Sequence, residues 1–129
     1  MGLQLNQAAL VEAVFHGFVS AAEIRQWLAQ IDALLARQED FYFIASTREH
    51  SDFAEDYRAI QAVWYKQYKN AFRQYCRGIV RIAHDPAEQA RLDTPALHAA
   101  WGVPYAVTLE RSAAYQWVMQ QMLVQHAAA

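Results

Sequence analysis

The chain has 129 residues, of which 55% are hydrophobic and 19% are charged. This composition is typical of a compact globular protein and excludes disordered and fibrous classes. Thirteen acidic residues against eleven basic ones give a net charge of −2, so no overall positive field attracts nucleic acid or anionic lipid. We expect residues 1–129 to form a single domain.

The cellular compartment is suggested by the cysteine content and by the first residues. The lone cysteine, Cys76, excludes an internal disulfide and agrees with a reducing compartment. The chain does not start with the basic and apolar stretches of a secretory signal, and no run approaches the roughly 18 apolar residues of a membrane span. We therefore expect a cytoplasmic protein with no stable membrane insertion.

The first elements along the chain are predicted to be strands. Over residues 9–19, Val11, Ala13 and Phe15 alternate with a second set of side chains, as in a strand that buries one face better than the other. Residues 3–6 alternate in the same way and predict a short edge strand. The later runs "FYFIA", "IVRIAH" and "PYAVTLE" predict three further strands, the first of them covered on both faces.

Capping patterns predict where the helices begin. Ser20 and Glu23 form a capping box ahead of apolar residues at spacings of three and four. Asp52 and Glu55 open a long helix in the same manner, and Gly78 follows it where a left-handed helix end favours glycine. Two further helices are predicted behind the pairs Asp85-Pro86 and Thr94-Pro95, and the last helix is predicted to begin at Ser112.

The order of these elements predicts the fold class. Strands that alternate with helices must run parallel, because each crossover helix returns the chain to the same end of the sheet. The sequence therefore predicts an α/β fold with a mostly parallel sheet of four to five strands, an antiparallel edge strand and covering helices.

Four stretches resemble the STAS/SEC14-like (SpoIIAA-like) family of small bacterial proteins. They are "FHGFVSAAEIRQWLAQID", "FYFIAS", "QYKNAFRQYCRGIVRIAH" and "VPYAVTLERSAAYQWV", and the likeness extends from about residue 10 to residue 123. The resemblance implies a STAS-like α/β fold and a role as a regulatory binding module. Ser46 and Thr47 lie near the turn that is phosphorylated in some relatives, but the glycine of that turn is missing here.

Basic residues mark one face of the long predicted helix. Lys66, Lys69, Arg73 and Arg77 cluster opposite its aromatic residues at 100° per residue, and Tyr65 is the ring expected to stay exposed. Nucleic-acid binding would need rings and cations on the same surface. We therefore interpret the basic face as solvated and expect no nucleic-acid partner, with an acidic protein partner as the alternative.

A second group of candidate residues follows from topology. Ligands of open parallel sheets bind beyond the carboxyl ends of the strands, and five polar residues fall at that edge outside the helix caps. They are His16, Ser46, Thr47, His84 and Glu110. We interpret them first as strand ends and second as a ligand or partner surface. Catalysis by His84 with Glu110 or Ser46 is the third reading, and it would require these groups to converge around a cleft.

No metal or cofactor is expected, because neither metal-ligand spacings nor glycine-rich phosphate loops occur in the sequence. Cys76 is interpreted as a small buried hydrophobe. Trp101, Trp117, Met119 and Met122 offer more apolar bulk than a small core absorbs, which predicts a patch for homodimerisation.

The sequence thus favours a non-enzymatic regulatory or protein-interaction module that binds another protein or itself. The alternative is a carrier or sensor of an apolar small molecule or lipid, held between the sheet and the aromatic helix.

Overall fold

Four parallel strands form the central sheet of this protein, in the spatial order β1-β3-β5-β6, and a separate pair, β2 and β4, is also parallel. The structure is a computed structural model and describes residues 8–48 and 51–127. Its elements are β1 Ala9–Phe15, β2 Phe18–Val19, α1 Ala21–Ala36, β3 Phe41–Thr47, β4 Asp52–Phe53, α2 Tyr57–Tyr75, β5 Cys76–Ile82, α3 Pro86–Leu92, α4 Pro95–Trp101, β6 Tyr105–Thr108 and α5 Arg111–Ala127.

The predicted fold class is confirmed as α/β with a mostly parallel sheet and covering helices. Among residues 8–48 and 51–127 every strand pair is parallel, so the predicted antiparallel edge does not occur there. The edge strand predicted over residues 3–6 lies outside the described residues.

Three of the predicted helix starts are confirmed in detail. The Ser20 hydroxyl accepts the Glu23 N–H at 3.2 Å, and the Glu23 carboxylate accepts the Ser20 N–H at 3.1 Å, which completes the capping box. Asp85 accepts the Glu88 N–H at 2.7 Å, and Thr94 accepts an amide of α4 in the same way. These local hydrogen bonds satisfy amides that no helical carbonyl can reach.

The two faces of the sheet are covered unequally. Alternate side chains of β3 point to opposite faces, with Phe41 and Phe43 on one side and Tyr42 and Ile44 on the other. Helices α1, α2, α3 and α4 all cover the first side, which we call the four-helix side. This follows because each new strand is added at the same edge of the sheet and each crossover is right-handed. Among residues 8–48 and 51–127, α5 is the one helix that covers the second side, which we call the α5 face.

The strand predicted over residues 9–19 is interrupted. His16 and Gly17 form a turn between β1 and β2, and Gly17 has a φ of 60°, a conformation that glycine adopts at little cost. Val11, Ala13 and the aromatic ring of Phe15 pack on the four-helix side as the alternation predicts. The turn lets the chain leave the main sheet and pair with β4.

The long helix begins later and ends earlier than the sequence predicts. Asp52 belongs to β4, and α2 starts at Tyr57 behind Asp56, whose side chain makes no capping hydrogen bond. Arg77 and Gly78 lie in β5, where Gly78 has no positive φ. The prediction that Gly78 terminates the helix is therefore wrong. The glycine instead allows α5 to pack closely against β5.

Candidate functional site

The carboxyl ends of the four parallel strands form one edge of the sheet, and a crevice of about 710 Å³ opens there on the α5 face. The chain diverges at this point, because β5 leads into α3 on the four-helix side whereas β6 leads into α5 on the other. Such a divergence leaves space between neighbouring strand ends and is the usual ligand position in open parallel sheets. The crevice is lined by Glu12, Ser46, Thr47, Arg48, His84 and Arg111, among others.

The structure brings Ser46, Thr47 and His84 together in the walls of this crevice. Glu110 immediately precedes α5 and is exposed outside the lining. His16 lies in the turn after β1 and lines a separate cleft of about 250 Å³ between β1 and α1. The five residues predicted from the strand ends therefore fall into three groups rather than one site.

His84 is held by two carboxylates. Its Nδ1 lies 2.9 Å from Glu88 Oε2, and its Nε2 lies 3.1 Å from Asp85 Oδ2. The backbone N–H of His84 also donates to Glu88 Oε1 at 3.1 Å. The hydrogen bond from the Glu88 N–H lowers the pKa of Asp85, so this carboxylate is charged at neutral pH. Both ring nitrogens of His84 thus contact carboxylates at the start of α3.

Glu12 is held in a similar way by α5. Arg111 donates to the two oxygens of the Glu12 carboxylate, from Nε at 2.9 Å and from Nη2 at 2.7 Å. The Arg111 Nη2 also donates to the Tyr115 hydroxyl at 3.0 Å, and that hydroxyl approaches Glu12 Oε1 at 3.4 Å. This bidentate pair neutralises the charge of Glu12 and anchors the first turn of α5 to β1.

Metal and thiol chemistry have little support in the described residues. No group of three or more His, Cys, Asp or Glu side chains within residues 8–48 and 51–127 is arranged to hold a metal ion. Cys76 is buried at the start of β5, and burial raises the pKa of its thiol to about 12. The thiol therefore stays protonated and packs as a small apolar side chain, as the sequence predicts.

The basic residues lie on the surface but do not form one stripe. Lys66, Lys69 and Arg73 are exposed on α2, whereas Arg77 extends from β5 and pairs with Asp40 at 3.2 Å. The expectation that all four cations share a helix face is therefore wrong for Arg77. The predicted separation of cations and rings also fails at Arg73, because its Nε donates to the Tyr65 hydroxyl at 3.2 Å.

Aromatic rings fill the space between α2 and the sheet. The ring centroid of Phe72 lies 6.1 Å from that of Phe41, 6.0 Å from that of Trp64 and 5.8 Å from that of Trp101. Tyr65, predicted as the exposed ring, packs edge-on against Trp101 at 5.6 Å, and its hydroxyl donates to the Trp101 carbonyl at 2.8 Å. That prediction is wrong, because α4 folds over the flank of α2 and covers the ring.

Helix α5 leaves part of its face of the sheet uncovered. Ala114 and Val118 of α5 pack on Ile44 and the neighbouring strand, at the centre of the sheet. On the edge strand β1, Leu10 and Val14 point to the same face and remain 45% and 41% exposed. A helix is about 10 Å wide and strands lie about 4.8 Å apart, so one helix covers only two to three of four strands.

The outer surface of α5 is itself apolar. Met119, Leu123 and Val124 are 63%, 71% and 64% exposed. At 100° per residue, Met119 lies about 40° around the helix from Tyr115, toward β1, whereas Leu123 lies about 80° from Tyr115, on the outer surface of α5. We call the surface formed by Leu10, Val14, Met119 and Leu123 the open face.

The patch predicted from the sequence is only partly the observed one. Trp101 packs against Phe72 in the aromatic cluster, and Trp117 packs over Gly78. Met122, on the inner side of α5, is half-buried against the sheet. Of the four predicted residues only Met119 is strongly exposed, and the other strongly exposed apolar residues of α5 are the aliphatic Leu123 and Val124.

No known family profile, curated protein or solved structure matches this chain. The resemblance to the STAS/SEC14-like family therefore stays a prediction, and the function has to be argued from the geometry. Within the described residues, no helix is both long enough and apolar enough to cross a membrane.

The crevice and the open face are neighbouring surfaces, because Val14 belongs to both. In the crevice, His84 and Glu12 are paired with neighbouring side chains. The polar groups that remain toward solvent are mainly hydroxyl groups and Arg48. The open face can interact with another molecule by burying its apolar side chains.

Proposed function

We propose that this protein is a non-enzymatic regulatory interaction module that binds a protein partner through the open face. The observation that carries the proposal is the composition of α5: no Asp, Glu, Lys or Arg occurs between Ser112 and Gln125. A helix on the surface of a monomeric domain ordinarily carries charges of both signs on its outer side. An uncharged helix with three strongly exposed aliphatic side chains instead fits a surface that another protein covers.

Several features of the remaining surface support a protein partner over nucleic acid or a substrate. The rings of α2 pack on the sheet and on Trp101, including Tyr65, whose hydroxyl accepts a hydrogen bond from Arg73, so few ring faces remain open for stacking on bases. His84 and Glu12, which line the crevice, are paired with neighbouring side chains. We place the protein in the cytoplasm, and its one cysteine, a buried free thiol, supports a reducing compartment.

Site-specific photo-crosslinking in the native host tests this proposal. A photoreactive amino acid at Leu123 is expected to give a discrete covalent adduct with another polypeptide. The matched control is Val63 on α2, which is 70% exposed and lies away from the open face. Equal labelling from both positions, or no adduct from Leu123, would contradict the proposal.

The alternative role as a carrier of an apolar small molecule would require α2 to separate from the sheet. The ring cluster around Phe72 would have to open, since it occupies the space where a pocket was predicted. Organic extraction of the purified protein followed by mass spectrometry tests this role. A stoichiometric apolar species would favour the carrier over the interaction module.

A further inference from the structure

We infer that the occupant of the open face is a second copy of this chain, arranged so that α5 of each copy lies over β1 of the other. This inference rests on the proposed function, because it names the partner for the same surface. It follows from three properties of that surface, namely its shape, its charge and its extent.

The shape of the open face is self-complementary. Met119 and Leu123 form a ridge on α5, which lies over β5 and β6, and Leu10 and Val14 form an exposed strip on β1 on the same side of the sheet. A two-fold axis parallel to the strands exchanges left and right when the two faces meet, so it places the ridge of each copy over the strip of the other. The second copy thereby places a helix over the part of β1 that α5 of the same chain does not cover.

The same axis leaves heights along the strands unchanged, which predicts a specific contact. Tyr115 of α5 reaches Glu12 of β1, and α5 then runs toward the start of the strands, where Gln125 donates to the Arg77 carbonyl. Four helical residues beyond Tyr115 cover about 6 Å, and two strand residues before Glu12 cover about 7 Å. Met119 of one copy is therefore level with Leu10 of the other.

The charge distribution favours an identical partner. No charged side chain lies on α5 between Ser112 and Gln125, so two copies of the helix surface meet without repulsion. The one charge in the strip, Glu12, is already paired with Arg111 of its own chain. A strongly charged partner would find no group of opposite sign to pair with, whereas an uncharged apolar surface fits.

The extent of the surface is sufficient for a weak dimer. The uncharged part of α5 extends for about 21 Å, and with the strip on β1 the two copies would bury on the order of 1,000 Å² in total. Interfaces of this size lie at the lower end of specific association. We therefore expect a dimer that forms in the micromolar range and dissociates on dilution.

A charge exchange between Met119 and Leu10 provides the test. Leu10→Lys and Met119→Glu are each expected to leave the protein monomeric in sedimentation experiments, because each places an unpaired charge on an apolar partner. An equimolar mixture of the two variants is expected to restore a dimer, since the lysine of one then meets the glutamate of the other while Leu10 and Met119 meet as in the natural pair. Val63→Glu is the matched control and is expected to dimerise like the unsubstituted protein.

Each outcome of this test decides one point, provided that far-ultraviolet circular dichroism shows every variant to be folded. A natural protein that stays monomeric at the highest soluble concentration overturns the second copy as partner. Dimers that persist in both single variants, or single variants that the mixture does not rescue, overturn the arrangement. If the natural protein is monomeric while Leu123 still crosslinks to a different polypeptide in the host, the proposed function survives and this inference alone fails.

Discussion

The indole ring of Trp117 in α5 lies directly against the backbone of Gly78 in β5. A Cβ atom at position 78 would come within 2.9 Å of Trp117 Cη2 and 3.2 Å of Tyr42 Cδ1. The glycine therefore lets a large ring approach the sheet, and it owes its place to packing rather than to a left-handed turn. This contact joins α5 to the centre of the sheet.

The substitution Gly78→Ala is expected to lower the free energy of unfolding by about 1–3 kcal/mol, the usual cost of overfilling a packed site. Urea unfolding measures the loss. In the double variant with Trp117→Leu, the added methyl group has space, so the combined loss should be smaller than the sum of the two single losses. Strict additivity would show that the ring is not what the methyl group meets.

The buried thiol of Cys76 predicts both a reactivity and a pH dependence. The native protein should resist a thiol reagent at neutral pH, whereas the unfolded chain should react at once. Burial raises the pKa of this thiol in the folded state from the ordinary 9.0 to about 12. Its contribution to stability is thus complete below pH 9.0 and is lost as the pH rises from 9.0 toward 12.

The Cys76→Ala variant is the control for this alkaline loss, because tyrosines also titrate in the same range. It should be less stable than the natural protein at neutral pH, owing to the small cavity, but the gap should narrow as the pH rises above 9.0. A gap that stays constant would mean that Cys76 ionises as easily in the folded state as in the unfolded chain.

The capping box of α1 predicts a loss of stability in acid. The hydrogen bond from the Ser20 N–H, together with that from its hydroxyl, lowers the pKa of Glu23 below 4.5. A lowered folded-state pKa stabilises the protein above 4.5, and the contribution disappears as the pH falls through the lower, folded-state value. Glu23→Gln should therefore shift the urea midpoint downward at neutral pH and hardly at all in strong acid. An equal shift at both pH values would contradict the assignment.

Phe72 is expected to be the most sensitive position of α2. It is the buried residue of that helix, and its ring meets those of Phe41, Trp64 and Trp101. Truncation to alanine should cost about 3–5 kcal/mol in unfolding free energy, while Phe72→Leu, which retains most of the volume, should cost much less. Similar losses for the two variants would indicate that the rings act through more than filled volume.

The parts of the fold that the sequence predicts well depend on short-range signals. The capping box at Ser20 and the Thr94-Pro95 pair determine helix starts within three residues, and the apolar run over residues 41–45 determines the buried strand. The start of α2 was misplaced because Asp52 and Glu55 mimic a capping box. In the folded chain Asp52 instead pairs with β2, which no local pattern reveals.

The candidate surfaces were less predictable because they depend on contacts between distant residues. The ion pair between Glu12 and Arg111 joins residues that are 99 positions apart, so nothing in the sequence near either residue indicates it. The predicted patch combines Trp117, Met119 and Met122 of α5 with Trp101 of α4, because spacing along the sequence does not show which of these residues the fold covers. Only the observation that α5 is the one helix on its face, within the part of the chain that the structure describes, shows that Leu10 and Met119 stay exposed.

The unequal coverage of the sheet also bears on how the chain emerges during synthesis. Strands β1, β3, β5 and β6 and the helices α1–α4 all precede α5, so one side of the sheet can assemble before α5 has been translated. Until then Tyr42, Ile44 and Val80 would meet water on the other side. A nascent chain stalled before residue 111 would therefore expose a hydrophobic surface of a partly folded sheet. Chaperones bind such surfaces, which otherwise aggregate.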